Sequence, residues 1–343
     1  MLYVSTRNRT EVFTAHRALH EDLAPDGGRF VPFRFATCGA DELAQFKEKS
    51  FGDTVAHILN LFFAVRLNGW DVDTCIGRSP VKLVALGRRT VVGEIWHNPD
   101  STYAYIENSL YNKMTGKAST PTDWVRIAIR IAVLFGLFGE LAKTGVTTFD
   151  IAVTAGDFSL PMAAWYARKM GLPIGMIICS CNENGAVWDL IHRGEYNTGA
   201  VQVKTGLPRL DVACSVGLER LIFGTLGEQE VLKYLRASEK GSIYHVDDAD
   251  ALVKLNDKLY ASVVGERRID TVISSVYRTN DYIIDPYTAL SYGGLQDYRA
   301  KTGENRTTLL LEENGVSAHV QRVANAIGMP EKNLTNRLKF PKE

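Results

Sequence analysis

Two short polar segments in the middle of the chain follow apolar strands and carry residue types that bind small ligands. The first, residues 154–159, lies between an apolar strand predicted at residues 149–153 and a helix predicted at residues 160–170. A glycine-bearing loop at a helix N-terminus offers unpaired backbone N–H groups and the positive end of the helix dipole. These features predict an anion site, and a phosphate group is the expected guest. The candidate residues are Thr154, Ala155, Gly156, Asp157, Phe158 and Ser159.

The second polar segment follows a strand predicted at residues 174–180. It contains Asn182, Glu183 and Asn184, which are candidate ligand-binding residues because open α/β sheets bind ligands beyond the carboxyl ends of their strands. The same residue types also form turns and helix caps. An ordinary strand-to-helix turn is therefore the alternative to ligand binding at both segments.

The elements around these segments predict an α/β fold. Helices and strands alternate over residues 123–215, and residues 307–311 form a late apolar strand. This order predicts a doubly wound, mostly parallel sheet with helices on both faces. Before it, residues 53–68 have the apolar spacing of an amphipathic helix, and residues 81–86 and 90–97 have the pattern of a β-hairpin.

Composition and charge exclude several classes of function. The most apolar stretch, residues 125–142, contains Arg126, Arg130 and Glu140, so it predicts a buried helix rather than a membrane span. Lys+Arg 39 balance Asp+Glu 39, which excludes a general attraction to nucleic acid or to an anionic membrane. The five cysteines lack metal-ligand spacing, and the start lacks the pattern of a secretory signal. We therefore expect a cytoplasmic protein that binds neither nucleic acid nor membrane.

Several motifs, in the same order along the chain, resemble the pyridoxal-phosphate enzyme threonine synthase. Residues 167–173 match its AKKMGLP motif at almost every position, and the two polar segments are similar to its PTGNFGD loop and its NEN motif. Further similar segments are residues 3–7, 23–32, 123–127, 194–196, 211–221 and 285–289.

This resemblance implies a fold, a domain arrangement and a cofactor. The fold is pyridoxal-phosphate fold type II, of the tryptophan synthase beta-like superfamily. The expected parts are a threonine-synthase-type N-terminal region at residues 1–118 and a large α/β domain at residues 119–343. The implied cofactor is pyridoxal phosphate at the phosphate loop, and a small phosphate-bearing molecule is the expected ligand.

The lysine through which the family forms a Schiff base with its cofactor has no counterpart in the sequence. The family's HGPTLAFKD segment is similar to the segment that begins at His97 and contains Pro99. The lysine position then falls on Ala104, or on Ile106 if two residues are inserted, and neither side chain can form a Schiff base.

Two other lysines follow in the sequence, and no segment is similar to the small domain of the family. Lys113 and Lys117 are candidate replacements, although their polar, loop-like setting predicts exposed lysines with a high pKa. The family's SGDTG loop is absent, so we expect the small domain to be largely deleted. The open face would then show apolar surface, which predicts a homodimer.

The retained motifs also depart from the family pattern. Asp157 stands where the family has Asn and Ser159 where it has Gly, and a carboxylate disfavours a phosphate at short range. In the last strand, Glu312 and its preceding leucine take the place of a Ser-Thr pair that faces the cofactor ring. Glu219 and Arg220 are adjacent on a predicted helix, so we expect one of them at the surface.

Three hypotheses follow. The first is a catalytically degenerate threonine synthase homologue that keeps a phosphate- or ligand-binding α/β scaffold. The second is an active threonine synthase or related lyase that converts O-phosphohomoserine to threonine with a relocated lysine. The third is a non-catalytic subunit that uses the fold to bind a partner protein. Fold alone does not decide among them.

Overall fold

The computed structural model describes residues 1–77, 81–96 and 103–339. The strands of this part are β1 (Leu2–Ser5), β2 (Val12–Thr14), β3 (Phe30–Pro32), β4 (Lys82–Ala85), β5 (Thr90–Glu94), β6 (Phe149–Thr154), β7 (Ile174–Cys181), β8 (Glu195–Asn197), β9 (Ile243–His245), β10 (Leu259–Val263) and β11 (Thr308–Glu312).

The same residues also form helices along the whole described chain. They are α1 (Ala15–His20), α2 (Ala40–Phe46), α3 (Phe51–Phe62), α4 (Gly69–Ile76), α5 (Tyr103–Thr115), α6 (Asp123–Lys143), α7 (Ser159–Lys169), α8 (Ala186–Arg193), α9 (Leu218–Leu226), α10 (Glu228–Lys240), α11 (Ala249–Asn256), α12 (Glu266–Asn280), α13 (Pro286–Thr302), α14 (Val320–Ile327) and α15 (Glu331–Lys339).

A six-stranded sheet in the order β10-β7-β6-β11-β5-β4 is the centre of the fold. Its neighbours pair in parallel except β4 and β5, which form the predicted antiparallel hairpin. Along β7, Ile177 and Cys179 pack into one hydrophobic cluster, whereas Ile178 packs into the other. Helices therefore cover both faces, which explains why the central strands are apolar throughout. The predicted doubly wound α/β fold is confirmed.

The predicted helix at residues 53–68 is shorter than expected. It ends at Phe62, because the backbone of Phe63 is extended, with φ of −119° and ψ of 135°, and Asn68 is the N-cap of a separate helix, α4. The Asn68 side chain accepts a hydrogen bond from the Asp71 backbone N–H, and the Asp71 side chain accepts one from the Asn68 backbone N–H. This reciprocal capping box separates two helices that the apolar periodicity alone joins.

Helix α6 is the buried helix predicted from the apolar stretch. Its 21 residues pack mainly against α3 and α7, and most of its side chains are buried. Within the described ranges we find no helix whose length and apolar character would let it cross a bilayer.

A small antiparallel sheet, β2-β1-β3, contacts the helices through five charged side chains that are buried or half-buried. Arg7 Nε lies 3.1 Å from Glu219 Oε1, and Asp123 Oδ2 lies 2.6 Å from an Arg29 nitrogen and 2.8 Å from an Arg220 nitrogen. We call these residues the arginine junction. Burial alone would raise the pKa of Asp123, but Arg220 and Arg29 hold it below its usual value.

The arginine junction corrects one expectation from the sequence. Glu219 and Arg220 are both buried, with 5% and 0% of their surface exposed. Adjacent helical residues do point in different directions, but here both directions are covered. Glu219 faces the β1 end of the chain, and Arg220 donates to the Phe30 carbonyl and faces Asp123.

Candidate functional site

The loop between β6 and α7 is held by its own side chains. Asp157 Oδ1 accepts hydrogen bonds from the Ser159 backbone N–H at 2.9 Å and from the Ser159 hydroxyl at 2.6 Å. Phe158 takes a left-handed conformation, with φ of 67°, at the start of the helix. The Asp157 carboxylate therefore accepts the N–H group of the first residue of α7 and lies at the positive end of the helix dipole.

Two backbone donors of this loop remain available. Within the described residues, the N–H groups of Gly156 and Asp157 donate no hydrogen bond. Their carbonyl groups are engaged: Gly156 O accepts from the Ser215 hydroxyl at 2.6 Å, and Asp157 O accepts from the Gly217 N–H at 2.9 Å. The carbonyl groups of Gly156 and Asp157 are thus hydrogen-bonded to neighbouring residues, while the N–H groups of the same two residues are available to a ligand.

Gly217 permits the close contact that fixes the loop. A Cβ atom at this position would lie 2.8 Å from the Phe158 carbonyl carbon and 3.0 Å from the Asp157 carbonyl oxygen. We expect Gly217→Ala to displace the loop and to lower the free energy of unfolding by about 1–3 kcal/mol, measured by urea denaturation. Gly39→Ala is the control, because a Cβ atom there meets nothing within 4 Å. Equal stability of the two variants would contradict this role.

The Arg130 side chain of α6 contacts α5, α7 and the residue that follows β11, beside the loop. Its Nε donates to Glu107 Oε1 at 2.9 Å, one terminal nitrogen donates to the Ser159 hydroxyl at 2.8 Å, and the other lies 3.5 Å from Glu313 Oε1. Burial alone would lower the pKa of Arg130, but Glu313, Glu107 and Asp157 raise it above its usual value. Arg130 is therefore a permanent cation, and burial raises the pKa of its partner Glu107.

Tyr103, at the start of α5, completes this group, which we call the Arg130 cluster (Tyr103, Glu107, Arg130, Ser159 and Glu313). The Arg130 guanidinium carbon lies 5.7 Å from the centre of the Tyr103 ring, within cation–π range. The Tyr103 hydroxyl is buried and has no hydrogen-bond partner among the described residues.

A cavity of about 150 Å³ lies between the loop and the Arg130 cluster. Its lining includes the loop residues 154–157 together with Arg130, Arg209 and Glu313. Arg209 is exposed and stacks on Tyr287, with its guanidinium carbon 4.2 Å from the ring centre. Ligand pockets usually enclose about 300–1,000 Å³, so this one suits a small molecule.

A second buried group lies at the ends of β5 and β11, and we call it the carboxyl cluster (Glu94, Trp96, Tyr282, Asp285 and Glu312). Glu312 accepts hydrogen bonds from the Trp96 indole at 3.0 Å and from the Asp285 backbone N–H at 3.2 Å. The Tyr282 hydroxyl oxygen lies 2.6 Å from Glu312 Oε2 and 3.0 Å from Glu94 Oε1. The single hydroxyl proton of Tyr282 can be donated to only one of the two carboxyl groups at a time.

Burial raises the pKa values of two acids in the carboxyl cluster, Glu312 and Asp285. It raises the pKa of Glu312 well above its usual value, and the neighbouring Asp285 carboxyl adds to the rise. Burial also raises the pKa of Asp285 to about 6. The sequence predicted acidic character at this strand end, and the structure shows an acid that favours its protonated form.

The second polar segment forms a separate network. The Asn182 side-chain amide donates to Asp211 Oδ1 at 2.8 Å, and the Asn184 amide donates to the Val203 carbonyl at 2.9 Å. Glu183 Oε1 accepts from the Glu266 backbone N–H at 3.2 Å. None of the three predicted residues lines the cavity. Their contacts are those of a turn that holds a neighbouring segment, and their role in ligand binding stays a prediction.

The lysine candidates lie away from the cavity. Lys113 is near the C-terminal end of α5, about 15 Å along the helix from Tyr103 by the usual rise per residue. Its Nζ lies 2.8 Å from Asp71 Oδ1, and that hydrogen bond raises the pKa of Lys113. Lys117 is exposed. No lysine is among the described residues that line the cavity.

Both positions that align with the family lysine lie in a helix of the described residues. Ala104 and Ile106 lie in the first turn of α5, where Ala104 is exposed and Ile106 is buried. His97 and Pro99, which carry the similarity to the family segment, lie outside the described residues.

Comparisons with known proteins agree with the fold and the motifs. The family model "Threonine synthase N terminus" matches residues 2–79. "Threonine synthase-like 1" of Homo sapiens is 27% identical over 239 residues, and "Threonine synthase" of Pseudomonas aeruginosa is 29% identical over 196 residues. The chain is threonine synthase-like. The matched regions cover 66% and 54% of this chain, but only 30% and 40% of those relatives.

Solved structures of threonine synthases have the same fold as this chain. The pyridoxal-phosphate-bound threonine synthase of Brucella melitensis superposes with a TM-score of 0.85 at 17% identity, covering 100% of this chain and 95% of that one. Yeast threonine synthase gives a TM-score of 0.83 at 17% identity, covering 100% and 94%. The fold is pyridoxal-phosphate fold type II.

The described lining does not fit pyridoxal phosphate held covalently in this threonine synthase-like chain. Its described residues include no lysine, the volume of the cavity is about half the lower end of the usual range for ligand pockets, and two carboxylates, Asp157 and Glu313, line it. What does fit is a small molecule that accepts hydrogen bonds from the two free backbone N–H groups.

The sequence did not point to Tyr103, Glu107 or Arg209 as site residues, whereas Glu313 is one of two acidic residues that it placed at the end of the last strand. A partial signal existed, because Arg130 is a charge within the most apolar helix of the chain. A buried arginine requires carboxylate partners.

Proposed function

We propose that this chain is a catalytically degenerate threonine synthase homologue that binds a small ligand non-covalently at the β6–α7 loop. The observation that carries the proposal is the cavity of about 150 Å³, whose described lining has charged and hydrogen-bonding groups but no lysine. A group without a nearby amine cannot be held as a Schiff base, so the ligand is held by hydrogen bonds and charge alone.

The residues of the chain have separable parts in this binding. The N–H groups of Gly156 and Asp157 donate to the acceptor end of the ligand. Arg209 lies at the exposed mouth and adds positive charge there. Arg130 is committed to Glu107 and Glu313 and holds the wall in place. In the parent family, bound pyridoxal phosphate supplies an electron sink for amino-acid chemistry, and no residue set for holding it covalently is present in the described lining.

The test is covalent trapping with the cofactor of the family. The purified chain is equilibrated with stoichiometric pyridoxal phosphate, reduced with borohydride and analysed by intact mass and peptide mapping. We expect no stoichiometric adduct at a single lysine, because the pKa of Lys113 is raised by its hydrogen bond to Asp71 and a protonated amine is a poor nucleophile. The Pseudomonas aeruginosa threonine synthase, treated in parallel, is the positive control.

One equivalent of cofactor on Lys113 or Lys117 would overturn the proposal in favour of an active lyase with a relocated lysine. Growth of a threonine auxotroph that carries this chain would lead to the same conclusion. A clean trapping result together with no growth leaves ligand binding as the function to be measured.

A further inference from the structure

The two edges of the central sheet differ in how their backbone groups are used. At one edge, α8 packs against β10, and His192 Nε2 lies 2.9 Å from the Ala261 carbonyl oxygen. At the other edge, β4 pairs with β5 and with no further strand of the described residues. An edge strand whose backbone groups have no partner can pair with a strand of another chain.

The hydrogen-bond pattern identifies the free backbone groups of β4. The Leu86 N–H donates to the Thr90 carbonyl oxygen at 2.8 Å, so these two residues form a hydrogen-bonded pair of the hairpin. Bonding alternates along an antiparallel pair, so Val84 also faces β5, whereas Leu83 and Ala85 point their N–H and C=O groups away from the sheet. No described residue forms a hydrogen bond with these outward groups. The backbone of two residues is therefore available to another strand.

Apolar surface remains uncovered on both faces of this edge. Leu83 packs against one hydrophobic cluster and Val84 against the other, and both side chains are only partly buried. Ala85 is exposed. A strand added beside β4 would cover this surface while it pairs with the free backbone groups.

The charges along this edge are positive. Lys82, at one end of β4, keeps 62% of its side-chain surface exposed, although its Nζ lies 3.8 Å from the buried Glu94. Arg88 and Arg89, in the turn at the other end, are exposed and form no ion pair with a described residue. Arg299 donates to the Arg89 carbonyl oxygen at 2.7 Å and adds a further positive charge beside the turn. Two copies of this edge would repel each other, whereas an acidic strand would be attracted.

We propose that the outer edge of β4 binds an extended acidic segment of a partner protein, which pairs with β4 as a seventh strand of the central sheet. The backbone of Leu83 and Ala85 supplies the hydrogen bonds. Lys82, Arg88 and Arg89 select carboxylate side chains. No β4 residue is among the described residues that line the cavity, so the inference does not depend on the proposed function.

Fluorescence polarisation of the full chain with a labelled peptide of alternating valine and glutamate tests the binding. The same peptide with lysine at every glutamate position keeps the strand pattern and reverses the charge. We expect the glutamate peptide to bind about tenfold or more tightly than the lysine peptide, and we expect added salt to reduce this difference. Equal binding of the two peptides, or no binding of the glutamate peptide, would overturn the inference.

Amide hydrogen exchange followed by NMR tests the strand pairing itself. In the free chain, the outward N–H groups of Leu83 and Ala85 should exchange faster than the Val84 N–H, which is bonded to β5. Saturation with the glutamate peptide should slow the exchange of Leu83 and Ala85 about tenfold or more, because both then donate to the added strand. Peptide binding without this protection would overturn the inference.

Two variants locate the site. Ala85→Pro removes an outward N–H and no hydrogen bond to β5, so it should weaken peptide binding about tenfold or more and keep the fold. Arg88→Glu combined with Arg89→Glu should weaken binding of the glutamate peptide about tenfold and strengthen binding of the lysine peptide. Arg66→Glu combined with Arg236→Glu makes the same charge change at exposed sites elsewhere and should change binding by no more than about twofold.

A second copy of the chain is the competing occupant of this edge. Analytical ultracentrifugation of wild type and Ala85→Pro distinguishes the two, and we expect the variant to leave the oligomeric state unchanged. An assembly that Ala85→Pro dissociates would assign the edge to a second copy and overturn the inference. Peptide binding that neither Ala85→Pro nor the Arg88 and Arg89 double variant weakens would also overturn it, because the site would lie elsewhere.

Discussion

Replacing Arg130 with methionine should lower the free energy of unfolding by about 3–5 kcal/mol. Methionine keeps much of the side-chain length but removes the charge, so Glu107 and Glu313 are left buried without their cation. Removing one partner of a buried ion pair is costly because the remaining charge keeps its desolvation penalty. Urea denaturation followed by circular dichroism measures the loss.

Arg126→Met is the control for this prediction, because Arg126 is exposed on the same helix, and it should change stability by no more than about 0.5 kcal/mol. Adding Glu107→Gln to Arg130→Met should recover part of the loss, since the two residues share one interaction. If Arg130→Met is as stable as Arg126→Met, the ion pairs of Arg130 contribute nothing to the free energy of unfolding, and the Arg130 cluster does not stabilise the fold.

Replacing Tyr282 with phenylalanine should destabilise the protein by about 1.5–3 kcal/mol near pH 8 and by less near pH 5. The hydroxyl lies between Glu312 and Glu94, and its loss leaves both without that partner. Burial raises the pKa of Glu312, so the protonated carboxyl is the form that the fold favours. Stability from this group is therefore complete at low pH and is lost as the pH rises through the raised pKa.

Thermal or urea unfolding at several pH values measures the difference between wild type and Tyr282→Phe. Tyr292→Phe is the control, because the Tyr292 hydroxyl is partly exposed and has no hydrogen bond among the described residues. A cost that stays constant across the pH range would show that the hydroxyl acts by packing alone. A cost that grows toward low pH would contradict the assignment of Glu312 as a carboxyl group with a raised pKa.

The central sheet could be predicted because each of its strands carries a local signal. The apolar runs of β6, β7 and β11 are short, and turn residues or helices bound them, so their existence and their parallel pairing follow from pattern alone. Boundaries were less accurate where capping decides them. Helix α3 ends at Phe62 and Asn68 caps a separate helix after it, and hydrophobic periodicity does not contain this side-chain cap.

The site was predictable only in part, because its parts are distant in sequence. The loop at residues 154–159 has a local pattern, but Glu107 lies in α5, Arg130 lies in α6 and Glu313 directly follows β11. No spacing rule connects them, and only the fold brings them within hydrogen-bonding or ion-pair distance. The same reason explains why Glu219 was not expected to be buried: its partners Thr6 and Arg7 are more than 200 residues earlier.

The arginine junction also has a consequence for how the chain is made. The Thr6 hydroxyl donates to Glu219 across 213 residues, so β1 leaves the ribosome long before its partner exists. At about 5–20 residues per second, the delay is roughly 10–40 s. During that time Arg7 and Arg29 have no access to Glu219. The contacts that join the N-terminal sheet to α9 therefore form only after residue 219 has been synthesised, whereas β1 can pair with β2 and β3 as soon as residue 32 has emerged.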